Sequence, residues 1–190
     1  MTKSVVERRI FENIDYSKNR LGEADYENCT FTSCAFSGAN LSNIRFSECS
    51  FIGCNLSMAK LGKTVFRDIE FKGCKLLGLH FEECSQLLFS VAFENCILNL
   101  SSFYKVNLKK TGFTNCSLRE VDFTESDLTG SLFDNCDFNK AKFDRTILQR
   151  VDLRTSYNYS IDPERNRIKK AKLSLPGVIG LLDKYDIEIG

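Results

Sequence analysis

The cysteines are the side chains of this sequence with the widest chemistry, because a thiolate can bind a metal, attack a carbonyl or form a disulfide. There are nine of them, and six recur at steps of 20 or 22 residues: Cys34, Cys54, Cys74, Cys96, Cys116 and Cys136. Metal ligands must converge on one point, whereas regular spacing spreads these thiols along the chain. In a reducing compartment they need not pair. We therefore expect buried, unpaired cysteines that act as small apolar side chains, with no metal and no cofactor.

Nucleophilic catalysis would need a base beside a nucleophile, and the sequence contains a single histidine, His80. It directly precedes Phe81, which the repeat places inside, so the imidazole is expected to point outward. The chain has no glycine-rich loop of the kind that cradles phosphates. Its many carboxylates follow the same spacing as the apolar residues, as on solvated faces. The sequence predicts a protein without enzymatic activity.

The cysteines and the histidine lie within a sequence repeat of five residues. A large apolar residue stands at every fifth position from Val6 to Phe81 and, after a shift of two residues, from Leu88 to Leu153. Neither a helix nor an alternating strand has this period. A smaller side chain lies two positions before each large one, and every cysteine occupies such a position. The tetrapeptides FTSC, FIGC, FKGC, FENC, FTNC and FDNC recur about every twenty residues, so four units make one turn of a solenoid.

Several units have a small residue, then Asp or Asn, then Leu or Phe, as in Ala39-Asn40-Leu41 and Val121-Asp122-Phe123. This pattern resembles the consensus of the pentapeptide-repeat family. The resemblance implies an all-β fold, a right-handed quadrilateral β-helix. We predict this β-helix over residues 1–173, with a two-residue register slip at about 82–89. A short C-terminal α-helix and tail are predicted over residues 174–190.

The C-terminal segment has the spacing of a helix, with Leu175, Val178, Ile179 and Leu182 on one side and Ser174 as its N-cap. A helix this short must pack on something. It is expected to cover the last coil, to join two copies of the chain, or both. The candidate dimerisation residues are Val178, Leu181, Leu182, Tyr185, Ile187 and Ile189.

Departures from the repeat mark candidate binding surfaces. Phe89 is the one phenylalanine outside the inward positions, and it lies with Leu87 where the slip must form a bulge. Phe89 either faces a partner or folds back to plug the bulge. A second candidate is an apolar patch on outward positions of one side, formed by Met58, Leu77, Ile97 and Leu100.

A third candidate is a cluster of acids, Glu120, Asp122, Glu125 and Asp127. They map to different sides and form a ring, and the chain has a net charge of +1. Imitation of DNA would need a continuous stripe of negative charge instead. Direct nucleic-acid binding is not expected either, because Asp162 and Glu164 adjoin the basic residues between Arg165 and Lys172.

The segment from Ile161 to Ile168, followed by Ser174-Leu175-Pro176, is similar to the tail of the topoisomerase-protecting branch of the family. That branch includes Qnr-type quinolone-resistance proteins and albicidin and microcin immunity proteins. The resemblance implies a C-terminal homodimer that binds DNA gyrase or topoisomerase IV and relieves poisoning. The alternative is a scaffolding solenoid with an unrelated protein partner, since a fold does not dictate function. With no apolar stretch of the length of a signal or membrane span, a cytoplasmic location is expected.

Overall fold

Five-residue units form the sides of square coils, and successive coils stack so that each residue lies beside one about 20 positions further on. The computed structural model describes residues 4–188. Backbone groups bond from coil to coil throughout, as between Phe36 N and Asn55 O at 2.7 Å and between Leu56 N and Lys75 O at 2.8 Å. The chain is a right-handed quadrilateral β-helix of about seven turns. We call its sides A, B, C and D, after the inward residues Phe51, Leu56, Leu61 and Phe66 of one coil.

Two sides contain short parallel strands. Side A is a sheet of seven strands: β2 (Ile10–Glu12), β4 (Thr30–Thr32), β6 (Ser50–Ile52), β8 (Ile69–Lys72), β9 (Val91–Glu94), β10 (Gly112–Thr114) and β11 (Leu132–Asp134). Side D is a sheet of four: β1 (Ser4–Glu7), β3 (Ala24–Glu27), β5 (Arg45–Ser47) and β7 (Val65–Arg67). The sheet of side D ends at β7, because the register slip interrupts strand pairing on this side.

Sides B and C are built from turns and isolated bridges, and here the Asp or Asn of the consensus has a structural task. Asp122 Oδ1 accepts a hydrogen bond from Thr124 N at 2.8 Å, and Ser126 N donates to Phe123 O at 3.1 Å. Glu125 has a φ of 58°, as expected for the third residue of a type II turn. The carboxylate therefore holds the corner of the coil.

The core consists of aromatic and leucine side chains stacked in columns. The Phe51 ring stacks on Phe31 at 4.9 Å and on Phe71 at 5.2 Å, and it meets Phe46 edge-to-face at 5.4 Å. Both arrangements are favourable for aromatic quadrupoles. Identical residues thus pack on identical residues, which is why the period of the sequence is kept so strictly.

All nine cysteines are buried and unpaired, as predicted. Several of the small inward residues also link two coils through a hydrogen bond. Cys54 Sγ donates to Phe31 O at 3.2 Å, and Cys136 Sγ donates to Phe113 O at 3.4 Å. Ser156 continues the Cys136 column with a hydroxyl that donates to Phe133 O at 2.9 Å. Thiols and hydroxyls therefore perform the same task at this position.

The C-terminal helix is present, but the prediction of an α-helix is wrong: it consists of two 3₁₀ segments, Pro176–Leu181 and Asp183–Tyr185. The reason is contact with Tyr159, which is buried against the segment. A Cβ atom on Gly177 or Gly180 would overlap Tyr159. Glycines three residues apart share one side of a 3₁₀ helix, so this form lets the backbone approach the ring.

Tyr159 also replaces Asn158 at the position where the repeat predicts an inward side chain. Its ring is buried and meets Phe138 edge-to-face at 6.3 Å. Ser174 acts near the start of the first 3₁₀ segment, where its Oγ accepts a hydrogen bond from Gly177 N at 3.1 Å. The N-cap residue is Leu175, so the prediction of Ser174 as the N-cap is wrong by one position, although its side chain accepts this bond.

Candidate functional site

The register slip forms a bulge on side D between β7 and the next coil. A 3₁₀ turn, Phe81–Glu83, leads into it. Both ends of the bulge are hydrogen-bonded to the preceding coil. Ser85 N donates to Thr64 O at 2.8 Å, and Ser90 N donates to Phe66 O at 3.0 Å. Within the bulge, the Gln86 side-chain amide donates to Phe81 O at 3.1 Å and to Cys84 O at 3.0 Å. These bonds give the bulge a defined shape.

Phe89 plugs the bulge from within. Its ring is half-buried against the core and meets Phe81 edge-to-face at 6.3 Å. The expectation that the inward beat resumes at Leu88 is wrong, because Phe89 fills the gap and Leu88 is 64% exposed. Leu87 beside it is 77% exposed. Of the two predicted candidates, Leu87 lies at the surface and Phe89 does not. We call Leu87 and Leu88 the leucine tip.

The apolar patch on side B exists as a set of neighbours. Met58 N donates to Leu77 O at 2.9 Å, which places these residues in adjacent coils, and Leu76 N donates to Ile97 O at 2.8 Å. Met58 and Leu100 occupy corner positions on either side of Gly78, over which the Met58 side chain lies. Met58, Ile97 and Leu100 are exposed and Leu77 is half-buried. We call these four residues the side B patch.

The predicted acids form a ring, and three of the four have structural partners. Asp122 holds a turn, and Glu125 pairs with Arg145 at 2.8 Å. Asp127 accepts hydrogen bonds from Thr129 and lies 3.1 Å from Lys109. Burial opposes ionisation of Asp127, but these partners outweigh it and lower its pKa.

Glu120 is exposed, and no salt bridge to it occurs within residues 4–188. Most of the acid ring thus stabilises the coils, and Glu120 is its member most available to a partner.

The C-terminal segment exposes a different set of residues from the one that helical spacing indicated. Leu175, Val178 and Ile179, which helical spacing placed on one side with Leu182, are all exposed, and Leu175 is 88% exposed. The exposure of Val178 agrees with its place among the candidate dimerisation residues. Leu181, expected to be left over for dimerisation, packs against the core instead. The reversal arises because Gly177 and Gly180 take the inward side.

Of the other candidate dimerisation residues, Tyr185 and Ile187 are exposed and Leu182 is half-buried. Tyr185 also donates a hydrogen bond from its hydroxyl to Glu164 at 3.2 Å. Ile189 lies outside the described residues. With Leu175, Val178 and Ile179, these side chains give the end of the rod an exposed apolar surface, which we call the C-terminal surface.

The only histidine is exposed, with its Nδ1 2.9 Å from Glu82 Oε1. Burial raises the pKa of Cys84, the thiol nearest to it in sequence, which weakens that thiol as a nucleophile. In the described part of the chain, no group of three or more His, Cys, Asp or Glu side chains is arranged to hold a metal ion. None of the helices found between residues 4 and 188 has the length and apolar character needed to cross a membrane.

Stacked square coils with cysteines and phenylalanines in columns define the class of the protein, a parallel β-solenoid built from pentapeptides. The family described as the pentapeptide repeat region matches residues 24–87 and 86–157. The chain belongs to this family. A search of curated proteins found no match.

Solved structures share the fold along nearly the whole chain. Trypsin-treated QnrB1, a plasmid-mediated fluoroquinolone resistance protein, is 22% identical with a TM-score of 0.63, over 98% of this chain and 100% of that one. HetL from the cyanobacterium Nostoc, a pentapeptide repeat protein involved in heterocyst differentiation regulation, is 16% identical with a TM-score of 0.70. That match covers 92% of this chain and 88% of HetL.

Proposed function

We propose that the protein binds a type II topoisomerase, DNA gyrase or topoisomerase IV, and protects it from poisons such as quinolones or peptide-type inhibitors. The observation that carries the proposal is the match to QnrB1, a fluoroquinolone resistance protein, which extends from end to end of both chains. The similar C-terminal sequence adds to it. The rod itself is a non-enzymatic scaffold, so the activity rests on its surface.

Two surfaces are proposed to contact the enzyme: the leucine tip on side D and, on the opposite side of the rod, the side B patch with Glu120. Exposed apolar groups on a rigid support are the kind of side chain that contributes most to protein interfaces. The bonds from Ser85 and Ser90 to the coil below hold the leucine tip in place before binding. Less conformational entropy is then lost when a partner binds.

Charge supports this apolar contact over imitation of DNA. The net charge is +1, and the acids of the ring are mostly paired with cations or turn N–H groups. A surface of this kind does not reproduce a row of phosphates.

The test is DNA supercoiling by purified gyrase, with and without a quinolone, in the presence of the protein. We expect the protein to restore supercoiling in the presence of the drug. A Leu87→Ser/Leu88→Ser variant should bind gyrase about tenfold more weakly, as for the loss of an interface contact of about 1.4 kcal/mol. An Ile10→Ser variant is the matched control, since Ile10 is equally exposed but lies in the first coil. If the protein neither rescues supercoiling nor binds gyrase, the proposal is wrong.

The second candidate function is a scaffold for an unrelated protein partner. It is favoured by the match to HetL, which has the same fold and is involved in regulation of differentiation. The same surfaces would then serve another partner. Absence of gyrase binding, with binding of another protein that the leucine tip variant abolishes, would favour it.

A further inference from the structure

Positive charge collects along one edge of the rod, which begins beside the leucine tip, where Leu88 and Lys110 line the same cavity. The corner between sides D and A carries Lys110, Gly130, Arg150 and Lys170 at equivalent positions of four successive coils, all with positive φ. Arg150 N donates to Lys169 O at 3.1 Å, which sets the last two of these coils in register. Three of the four corner positions are therefore cationic.

Two further cations extend this row on side D. Arg167 and Lys169 flank Ile168 in the coil of Lys170, and both are exposed. We define the basic corner as Lys110, Arg150, Arg167, Lys169 and Lys170. Within residues 4–188, no carboxylate lies within the 4.0 Å limit of a salt bridge to any of these five side chains.

The acids that are adjacent to these cations in the sequence form ion pairs with a different residue. Asp162 and Glu164 both bind Lys184, at 2.8 Å and 2.7 Å. The remaining cations of that stretch are Arg165, which pairs with Asp144 at 2.6 Å, and Lys172, which lies 3.6 Å from Asp152. The expectation that Asp162 and Glu164 neutralise the basic residues is therefore wrong, because the turn directs them to the C-terminal segment.

The acids on the coils that flank the basic corner are also paired. Asp127 lies 3.1 Å from Lys109, and Asp152 lies 2.8 Å from Arg154. The five cations of the basic corner thus keep their charge in a chain whose total is only +1. Such a local concentration of one sign attracts a polyanion.

We propose that the basic corner binds the phosphate backbone of duplex DNA without sequence preference. Three coil steps of about 4.8 Å separate Lys110 from Lys170, so the row is about 14 Å long. One strand of the duplex carries a phosphate every 3.4 Å or so, which gives about four phosphates over this length. The row thus spans about four phosphates, and Arg167 and Lys169, which lie beside it on side D, bring the proposed number of phosphate contacts to about five.

The composition of the basic corner favours a duplex over other anionic partners. It contains no aromatic side chain on which the bases of a single strand could stack. The apolar side chain of Leu88 lies at its margin, beside Lys110, whereas a protein interface usually has an apolar or aromatic centre. Charge with three of its five cations aligned along the rod suits a partner that is itself a rod of charge.

The test is the binding of the purified protein to a fluorescent 20-base-pair DNA duplex, measured by anisotropy over a range of salt concentrations. Five phosphate contacts predict a slope of log K against log salt of about −4 to −5. The affinity should thus fall about 10² to 10³ fold between about 50 and 200 mM salt. A Lys110→Gln/Arg150→Gln/Lys170→Gln variant should reduce the slope to about −2, since each phosphate contact contributes about one unit.

The matched control is a Lys60→Gln/Lys75→Gln/Lys140→Gln variant, which removes the same charge from exposed positions on other parts of the rod. It should keep the slope and affinity of the unmodified protein. The proposal is overturned if the unmodified protein does not bind DNA at low salt, or if both variants lose affinity equally. Equal competition by poly-glutamate of the same charge, or tighter binding of an RNA duplex, would also contradict the assignment to DNA.

This inference does not depend on the proposed function, because the assay contains no topoisomerase. If the protein binds DNA through the basic corner but fails to rescue gyrase, DNA binding is supported and topoisomerase protection is rejected. Rescue of gyrase by the Lys110→Gln/Arg150→Gln/Lys170→Gln variant at full strength would show that protection needs no contact between the basic corner and DNA.

Discussion

At the scale of single residues, the small inward position decides how one coil is attached to the next. Its side chain must be compact, because it shares the interior with a phenylalanine or leucine. Ala59 and Val106 meet this condition by filling the space alone. Cysteine, serine and threonine can in addition donate a hydrogen bond to a backbone carbonyl of the coil below, as Cys54, Ser156 and Thr146 illustrate. Cysteine is thus used here for its size and its proton, not for its reactivity.

This account predicts different outcomes for two substitutions of Cys54. Cys54→Ser keeps a donor for Phe31 O and should change the free energy of unfolding by less than about 1 kcal/mol. Cys54→Ala removes the donor and leaves a small void, and should cost about 1 to 2 kcal/mol. Urea unfolding followed by circular dichroism measures both values. If serine destabilises the protein as much as alanine does, the hydrogen bond has no importance and only the volume of the sulfur counts.

At the scale of elements, the C-terminal 3₁₀ segments are held by the close approach of their backbone to the last coil. Ile161 N donates to Gly180 O at 2.9 Å, and the two glycines lie against Tyr159. The pairs formed by Lys184 with Asp162 and Glu164 fasten the same segment from the other side. The segment therefore covers the last coil mainly through close backbone contacts, and less through buried apolar side chains.

Gly180→Ala should weaken this attachment, because its Cβ would overlap the Tyr159 carbonyl oxygen. We expect a cost of about 1 to 3 kcal/mol, as for overpacking, and faster cleavage by trypsin after Lys184. Gly112→Ala is the control, since a Cβ at this position in β10 meets nothing within 4 Å. It should change stability by less than about 0.5 kcal/mol. Equal behaviour of the two variants would mean that the contact with Tyr159 does not hold the segment.

How far the sequence predicted the elements depends on whether a residue obeys the repeat. The stacked core, the buried cysteines and the patch around Met58 follow from position in the period. Leu88 and Phe89 compete for one gap in the bulge, and only the local geometry selects the aromatic ring. Tyr159 likewise displaces Asn158 from the interior. Gly177 and Gly180 place their own side of the C-terminal segment against Tyr159. A pattern of apolar residues does not include glycine, so the side of the segment that is exposed could not be predicted from it.

At the scale of the whole molecule, the rod has two unlike ends. The C-terminal end exposes Leu175, Val178, Ile179, Tyr185 and Ile187 around a well-packed segment. Exposed apolar groups concentrated in this way are typical of an interface. A second copy of the chain is the partner that we propose for this end, in line with what the resemblance of the C-terminal sequence implies.

A dimer joined at the C-terminal surface should be broken by charge placed there. We expect the protein to have twice the chain mass of 21.7 kDa in multi-angle light scattering. Val178→Asp/Ile187→Asp should reduce it to a monomer without loss of fold, because both side chains are exposed. Val5→Asp, at the other end of the rod, should leave the dimer intact. A monomeric unmodified protein, or a variant that remains dimeric, would remove the C-terminal surface as the dimer contact.

The nine buried thiols can also serve as probes of local opening of the rod. Burial raises the pKa of Cys49 to about 11, so this thiol is almost entirely protonated at neutral pH. An alkylating reagent therefore modifies such a thiol when its coil opens to solvent. Since the cysteines from Cys29 to Cys136 are distributed over six successive coils, the order of modification seen by mass spectrometry would time the opening of each of these six coils. Fraying from either end, or parting at the bulge, would each leave its own order of labels.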